Sequence, residues 1–173
     1  MCMSAVLIGY RGSGKTTLGR KLADRMWVKF VDTDDLIVAA AGKTIREIFE
    51  SEGEERFRDL EVQAVRDACG RDDHIIALGG GAVLREENRA LLKNLGSPRV
   101  YLRCDAAELL KRIESDPATA ANRPALSSLG GSLQEIESML KMREPLYREV
   151  MTAELDVTNL NLDEAMKYVA RMI

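Results

Sequence analysis

The segment GYRGSGKTT, which begins at Gly9, has the residue types and spacing of a phosphate-binding loop, G-x-x-x-x-G-K-[ST]. Glycines let successive backbone N–H groups turn toward phosphate oxygens at the start of a helix. Lys15 can reach the β- and γ-phosphates, and the Thr16 hydroxyl is a suitable ligand for Mg²⁺. The segment therefore predicts a nucleoside triphosphate site. Its predicted binding residues are Gly12, Ser13, Gly14, Lys15, Thr16 and Thr17.

Several classes of phosphate-loop protein are excluded by what the rest of the sequence lacks. A GTPase would carry a guanine-reading N-K-x-D segment, and the sequence contains none. A motor ATPase is usually longer and has an apolar strand that ends in aspartate, whereas the third apolar run here ends in Gly79, Gly80 and Gly81. Small-molecule and nucleotide kinases remain, in which one short chain also binds the acceptor.

Two aspartates follow an apolar run in the segment KFVDTDDLI. Asp32 and Asp34 are two residues apart, so their side chains point the same way if extended geometry continues. One carboxylate can then serve Mg²⁺ while the other accepts the proton of an acceptor hydroxyl. The alternative is that these residues only cap the helical pattern that begins at once.

Two further segments carry candidate acceptor-binding groups. Arg58 and Glu61 lie three residues apart in a helical pattern, so the carboxylate can hold the guanidinium in place, although such pairs are more often solvated. The segment HIIALGGGAVL places three glycines behind an apolar run. Such a turn suits a group that must come close to the backbone, with a plain strand-to-helix turn as the alternative.

The elements that must position these residues alternate between short apolar runs and helical patterns. This order predicts a doubly wound α/β fold with a parallel sheet. The interval 34–69 is long for one crossover and predicts a small helical sub-structure beside the sheet. The predicted strands are Ala5–Ile8, Val28–Val31, His74–Leu78, Arg99–Leu102 and Glu154–Val157.

Composition limits the possible partners. The 173 residues include 46% hydrophobic and 31% charged residues, which is typical of one globular domain, and the net charge of −3 gives no basic surface for nucleic acid or an anionic membrane. The early apolar run Ala5–Ile8 is too short for a signal peptide or membrane span, so we expect a cytoplasmic protein. Three widely spaced cysteines and a single histidine, His74, predict neither a disulfide framework nor a zinc site.

The interval 115–131 has prolines, paired glycines and small residues but no apolar periodicity. It is too long for a plain connection between two helices, and long loops in compact domains often act as lids. A disordered insert is the alternative.

The sequence resembles the shikimate kinases over nearly its whole length. The matching stretches are GYRGSGKTT, FVDTDDLI, GEERFRDLE, ALGGGAV, NRPAL and MREPLYREV, in the order of that family. The resemblance implies ATP-dependent phosphorylation of shikimate on its 3-hydroxyl, in the biosynthesis of chorismate and the aromatic amino acids. It also implies a nucleoside-monophosphate-kinase-like fold, with a five-stranded parallel sheet flanked by helices and a mobile lid, in a single domain over residues 1–173. We expect a monomer.

The resemblance also implies roles for individual residues. Asp34 would bind the shikimate hydroxyls, including the one attacked, and Asp32 would act on Mg²⁺ through water, with Thr16 as the other metal residue. The carboxylate of shikimate would be held by Arg58 and Arg143. In this family the glycine-rich turn faces the acceptor, so Gly80 would meet shikimate through its N–H, and Gly79 and Gly81 would let the chain pass close to it. The acceptor-binding helical region would span about 32–61.

Two arginines are assigned to the nucleotide side by the same resemblance. Arg123, in the lid at 115–131, would fold over the phosphates and join Lys15 and Asp34 as a catalytic residue, and Arg112 would lie along the adenine. The sequence departs from the family at Ala125, after Pro124 of the lid, and only loosely matches it in VTNLNLDEA. Lid length and adenine contacts other than Arg112 are therefore left unassigned.

Two other functions have specific arguments against them. Another small-hydroxyacid kinase, such as a gluconate kinase, would not be expected to combine D-T-D, F-R-x-x-E and G-G-G. A non-catalytic nucleotide-binding module derived from the kinase would be expected to have lost Lys15, Asp34 or Arg123, and all three are present.

Overall fold

A computed structural model describes residues 4–116 and 132–173 of the chain. The first half of the described chain runs β1 (Ala5–Ile8), α1 (Lys15–Met26), β2 (Lys29–Asp32), α2 (Thr33–Ala41), α3 (Ile45–Cys69) and β3 (His74–Ala77). A short 3₁₀ turn, Ala82–Leu84, leads into α4 (Glu86–Lys93), β4 (Arg99–Arg103) and α5 (Ala106–Glu114). The chain then continues with α6 (Leu133–Val150), β5 (Ala153–Asp156) and α7 (Leu162–Val169).

The five strands form one parallel sheet in the order β2-β3-β1-β4-β5. All five strands lie within one residue of their predicted positions, and the predicted α/β fold is confirmed. The order places the ends of β2, β3 and β1 side by side. The loops that follow these three strands therefore meet at one edge of the sheet, where ligands of open parallel sheets usually bind.

Both faces of the sheet are covered, which explains why β1 is apolar at every position. Ala5 and Leu7 pack on one face with apolar residues of α1, α5 and α7, whereas Val6 and Ile8 pack on the other with residues of α3 and α4. Helix α6 contributes to both clusters. The sheet is therefore a buried platform that fixes the positions of the loops at its edge.

Helices α2 and α3 form the predicted sub-structure beside the sheet, and a third apolar cluster holds them together. Its buried members are Ile37, Ile45, Ile48, Phe57 and Ala64. Helix α3 begins with a capping box at Thr44 and Glu47, in which each residue satisfies a backbone N–H of the other. At Gly53, φ is 82° and ψ is 173°, so the helix is broken there and its second half takes a new direction.

The lid prediction falls mostly outside the described residues. Ser115 and Asp116 follow α5, and 117–131, which include Arg123, are not described. Within residues 4–116 and 132–173, no helix is long and apolar enough to cross a membrane.

Candidate active site

The phosphate-binding loop joins β1 to α1, as predicted. Gly12 and Gly14 have φ of 81° and 91°, a left-handed conformation that other residues adopt only with strain. This conformation places the start of α1, with its N–H groups and its helix dipole, at the carboxyl end of the central strand. Lys15 is buried, and its Nζ donates to the carbonyls of Gly9 (2.8 Å) and Tyr10 (2.7 Å). The loop is thus held in shape by its own lysine.

Thr16 and Asp32 place two oxygen atoms that can bind a metal ion next to each other beside this loop. The Thr16 hydroxyl donates to Oδ2 of Asp32 over 2.7 Å, and Asp32 is only 9% exposed. Mg²⁺ is usually held by one or two protein oxygens together with phosphate oxygens and water, so this pair fits the ion. The described residues contain no group of three or more acidic, histidine or cysteine side chains that could hold a metal alone.

Asp32 also caps α2, and the cap uses Oδ1, whereas Thr16 contacts Oδ2. Its Oδ1 accepts a hydrogen bond from the Asp34 N–H over 3.0 Å. The extended geometry on which the pairing of Asp32 with Asp34 depended ends at Asp32, because α2 starts at Thr33. Asp34 therefore lies in the first turn of a helix, and the two carboxylates are placed by the cap rather than by a strand.

The glycine turn after β3 comes close to these carboxylates. A Cβ added to Gly79 would lie 2.8 Å from Oδ1 of Asp34 and 3.0 Å from Oε1 of Glu61. The Gly79 N–H donates to Oγ1 of Thr33 over 2.9 Å, which ties the turn to the start of α2. Lack of a side chain at this position lets two carboxylates lie against the backbone, so the turn is more than a plain strand-to-helix connection.

Arg58 is buried beside the same turn, and the alternative of a solvated pair with Glu61 is wrong. Arg58 is 6% exposed and Glu61 1%, and Nη1 of Arg58 donates to Oε2 of Glu61 over 2.8 Å. Nη2 and Nε of Arg58 donate to Oε1 of Glu54 over 3.0 and 3.3 Å. Burial opposes the positive charge of Arg58, but Glu61 and Glu54 outweigh this effect and raise its pKa. Burial of Glu61 disfavours its charged form and raises its pKa, and the positive charge of Arg58 offsets only part of this rise.

Helix α6 also contacts the glycine turn. Nη1 of Arg143 donates to the Gly80 carbonyl over 3.3 Å, and the Tyr147 hydroxyl donates to the same carbonyl over 2.5 Å. The Arg143 guanidinium also lies over the ring of Tyr10, with Cζ 5.5 Å from the ring centre. Tyr147 was not predicted from the sequence, although its position four residues after Arg143 places both on one face of α6.

These groups enclose two adjoining pockets. The first, here called the acceptor pocket, contains all six predicted substrate-binding residues: Asp34, Arg58, Gly79, Gly80, Gly81 and Arg143. Glu61, predicted as the partner of Arg58, also lines this pocket, and sequence reasoning assigned no role there to four other described lining residues: Arg11, Ile45, Phe49 and Phe57. Ile45 and Phe49 could have been predicted from the sequence, because their spacing of four residues places both on one face of α3.

The second pocket, here called the nucleotide pocket, is lined by the phosphate loop and by both predicted metal ligands. Its predicted members are Gly12, Gly14, Lys15, Thr16, Thr17, Asp32 and Arg112. Ser13, also predicted, is buried, and its Oγ is 3.4 Å from Nζ of Lys15. Within residues 4–116 and 132–173, four residues line both pockets: Arg11, Asp34, Ile45 and Gly80. The two pockets therefore meet beside the Asp34 carboxylate.

Arg112 links the nucleotide pocket to the segment in which adenine contacts were left unassigned. Its Nε donates to Glu108 on α5 over 2.8 Å, and Nη2 donates to the carbonyls of Val157 (2.9 Å) and Thr158 (3.4 Å). The guanidinium is thus fixed between α5 and the connection that follows β5.

Comparison with known proteins agrees with this geometry. The sequence profile described as shikimate kinase matches residues 11–173. The chain belongs to the shikimate kinase family. It is 41% identical over 165 residues to a shikimate kinase of Rhodopirellula baltica, covering 95% of this chain and 87% of that one. The identity to a shikimate kinase of Thermobifida fusca is 41% over 167 residues, covering 96% and 92% of the two chains.

Among solved structures, a shikimate kinase from Acinetobacter baumannii in complex with shikimate superposes with a TM-score of 0.90. The identity is 33%, and the match covers 99% of this chain and 92% of that one. The family and the fold predicted from the sequence are thus confirmed for this shikimate kinase family member.

Proposed function

We propose that the chain transfers the γ-phosphoryl group of ATP to the 3-hydroxyl of shikimate, in the biosynthesis of chorismate and the aromatic amino acids. Membership of the shikimate kinase family supports this activity. The main observation in its favour is that the nucleotide pocket, which contains the phosphate loop, and the acceptor pocket, which contains arginines and glycines, meet at Asp34. A donor in one pocket and a hydroxy acid in the other would bring their reacting groups together beside a carboxylate.

On the acceptor side, positioning accounts for most of the proposed chemistry. Arg58 and Arg143 would bind the carboxylate of shikimate, since planar guanidinium groups match a carboxylate in shape and charge. The glycine turn would let the sugar-like ring lie against backbone, with Gly79, Gly80 and Gly81 as its contacts. Asp34 would accept the proton of the attacking hydroxyl, because it lies where the two pockets meet.

On the donor side, the amides of the phosphate loop would bind the phosphates and Lys15 would follow the migrating phosphoryl group. To do so its Nζ must exchange the carbonyls of Gly9 and Tyr10 for phosphate oxygens. Thr16 and Asp32 would hold Mg²⁺, which neutralises phosphate charge when it is bound. Arg112 would lie beside the adenine. Arg123 is proposed to reach the phosphates from the lid at 115–131, most of which lies outside the described residues.

We extend the proposal to the organisation of the chain. Residues 1–173 would form a single kinase domain that acts as a monomer in the cytoplasm, with an acceptor-binding region at about 32–61. Size-exclusion chromatography with light scattering, with and without substrates, tests the monomer. A fluorescent fusion in cells tests the location.

A coupled assay of ADP release tests the activity. We expect turnover with shikimate and none above background with gluconate or nucleoside monophosphates. Asp34→Asn keeps the shape of the side chain but removes the proton acceptor, so kcat should fall about 10²-fold or more. Asp24→Asn, on the exposed side of α1, is the matched control and should keep wild-type kcat. Turnover of gluconate in preference to shikimate would refute the substrate, and a change in KM alone for Asp34→Asn would refute the proton acceptor.

A further inference from the structure

Arg11 is a cation of the phosphate loop to which neither the motif nor the proposed mechanism assigns a role. In the motif G-x-x-x-x-G-K-[ST] it occupies one of the four variable positions. It is half-buried, and it lines both the nucleotide pocket and the acceptor pocket. Of the four described residues that line both pockets, it is the only one with a positive charge.

The guanidinium of Arg58 in the acceptor pocket is already bonded to carboxylates of the protein. Arg58 donates from all three of its nitrogens to two carboxylates, those of Glu54 and Glu61. An incoming carboxylate would have to share this guanidinium with two like charges, which disfavours binding there. Arg58 alone is therefore a weak binding group for the carboxylate of a small hydroxy acid.

Arg11 and Arg143 differ from Arg58 at Nε, which in Arg58 donates to Glu54. In each of them Nε is buried and has no hydrogen-bond partner within the described part of the chain. A buried donor without a partner carries a desolvation cost, which is relieved when the side chain turns to meet an anion. Both guanidinium groups also act on the same neighbour: burial raises the pKa of Tyr10, and the charges of Arg11 and Arg143 offset part of that rise. Arg143 lies over the Tyr10 ring, Arg11 is the next residue along the chain from Tyr10, and both arginines line the acceptor pocket.

We propose that Arg11 is a third guanidinium of the acceptor site and that it binds the carboxylate of the substrate together with Arg143. This inference rests on the proposed function, since it concerns the same hydroxy acid. A carboxylate has two oxygens and about four acceptor positions, enough for donors from two arginines as well as a share of Arg58. The position of Arg11 in the phosphate loop would then make the loop itself part of the acceptor site.

The test compares charged and uncharged acceptors in Arg11 variants. Shikimate and its carboxamide differ only in the group that Arg11 is proposed to bind. Binding of each to wild type, Arg11→Met and Arg11→Lys is measured by calorimetry, with kcat and KM from the coupled assay. Arg11→Met should weaken shikimate binding about 10-fold or more, with a matching rise in KM, while carboxamide binding stays at its wild-type value. Arg11→Lys should retain part of the affinity because it keeps the charge.

Controls separate this inference from the proposed function. Arg71→Met removes an exposed arginine that pairs with Asp67, and it should change neither acceptor. A wild-type protein that does not bind shikimate would refute the proposed function itself. If wild type binds shikimate and Arg11→Met binds it equally tightly, only the role of Arg11 is refuted. Equal losses for shikimate and the carboxamide, or a fall in kcat with unchanged shikimate affinity, would also overturn that role.

Discussion

Replacing Gly81 by alanine would place one methyl group against the guanidinium of Arg58. The added Cβ would lie 3.0 Å from Cζ and Nη2 of Arg58 and closer still to Nη1. The backbone itself tolerates alanine, because φ at Gly81 is −101°. The change therefore tests the position of the guanidinium without backbone strain.

The size of the effect follows from how firmly Arg58 is held. Moving it away from the methyl group would break or stretch its bond to Glu61, which is 1% exposed and has no solvent to replace the lost partner. Overpacking of this kind usually costs about 1–3 kcal/mol of folding stability. A displaced guanidinium would also lose a charged contact to shikimate of about 1.5–3 kcal/mol, which weakens binding roughly 10- to 150-fold.

Urea denaturation and calorimetry with shikimate and ADP measure these effects. ADP affinity should not change, because Gly81 does not line the nucleotide pocket. Gly96→Ala is the matched control: a Cβ there meets nothing within 4 Å, so stability should stay the same or rise by about 0.4–1 kcal/mol. A Gly81→Ala protein with wild-type stability and shikimate affinity would show that Glu54 and Glu61 do not fix the guanidinium, and the reasoning would fail.

Two further predictions concern neighbours of the glycine turn. Glu54→Gln removes the charge of an exposed carboxylate that competes with substrate for Arg58, so calorimetry should show tighter shikimate binding. The free energy of unfolding should change by less than about 1 kcal/mol, because the pair is partly exposed. Weaker shikimate binding would mean that Glu54 instead orients Arg58 for the substrate. Thr33→Val leaves the buried Gly79 N–H without its acceptor and should lower the free energy of unfolding in urea by about 1–3 kcal/mol. Thr33→Ser keeps a hydroxyl and should lower it less. Equal losses of stability for the two variants would contradict a role of the hydroxyl.

The parts of this structure that sequence predicts well are local or strongly patterned. A parallel strand buried on both faces is a short apolar run, which is why β1 and β3 were located to within one residue. Arg58 and Glu61 could be paired because they lie on one helix. The conformation at Asp32 and Asp34 was harder to predict, since an extended chain and a helix cap are both compatible with this sequence. The hydrogen bond from the Asp34 N–H to Asp32 shows that Asp32 is a helix cap.

Contacts between distant elements were the part that sequence did not predict. The bond from Tyr147 to the Gly80 carbonyl joins residues that are 67 positions apart, and no periodicity connects them. Arg11 occupies a variable position of its motif, so only the adjoining pockets of the folded chain distinguish it from a surface arginine.

The separate apolar cluster under α2 and α3 bears on how substrate choice can change in evolution. Its buried members all come from Ile37 to Ala64, and none of them belongs to the two clusters that cover the sheet. Substitutions among these five buried residues can compensate one another within this cluster, while the residues of β1 pack in the other two. Five of the eleven described residues that line the acceptor pocket come from this stretch, so part of the pocket's shape can change through substitutions in one contiguous segment of the gene.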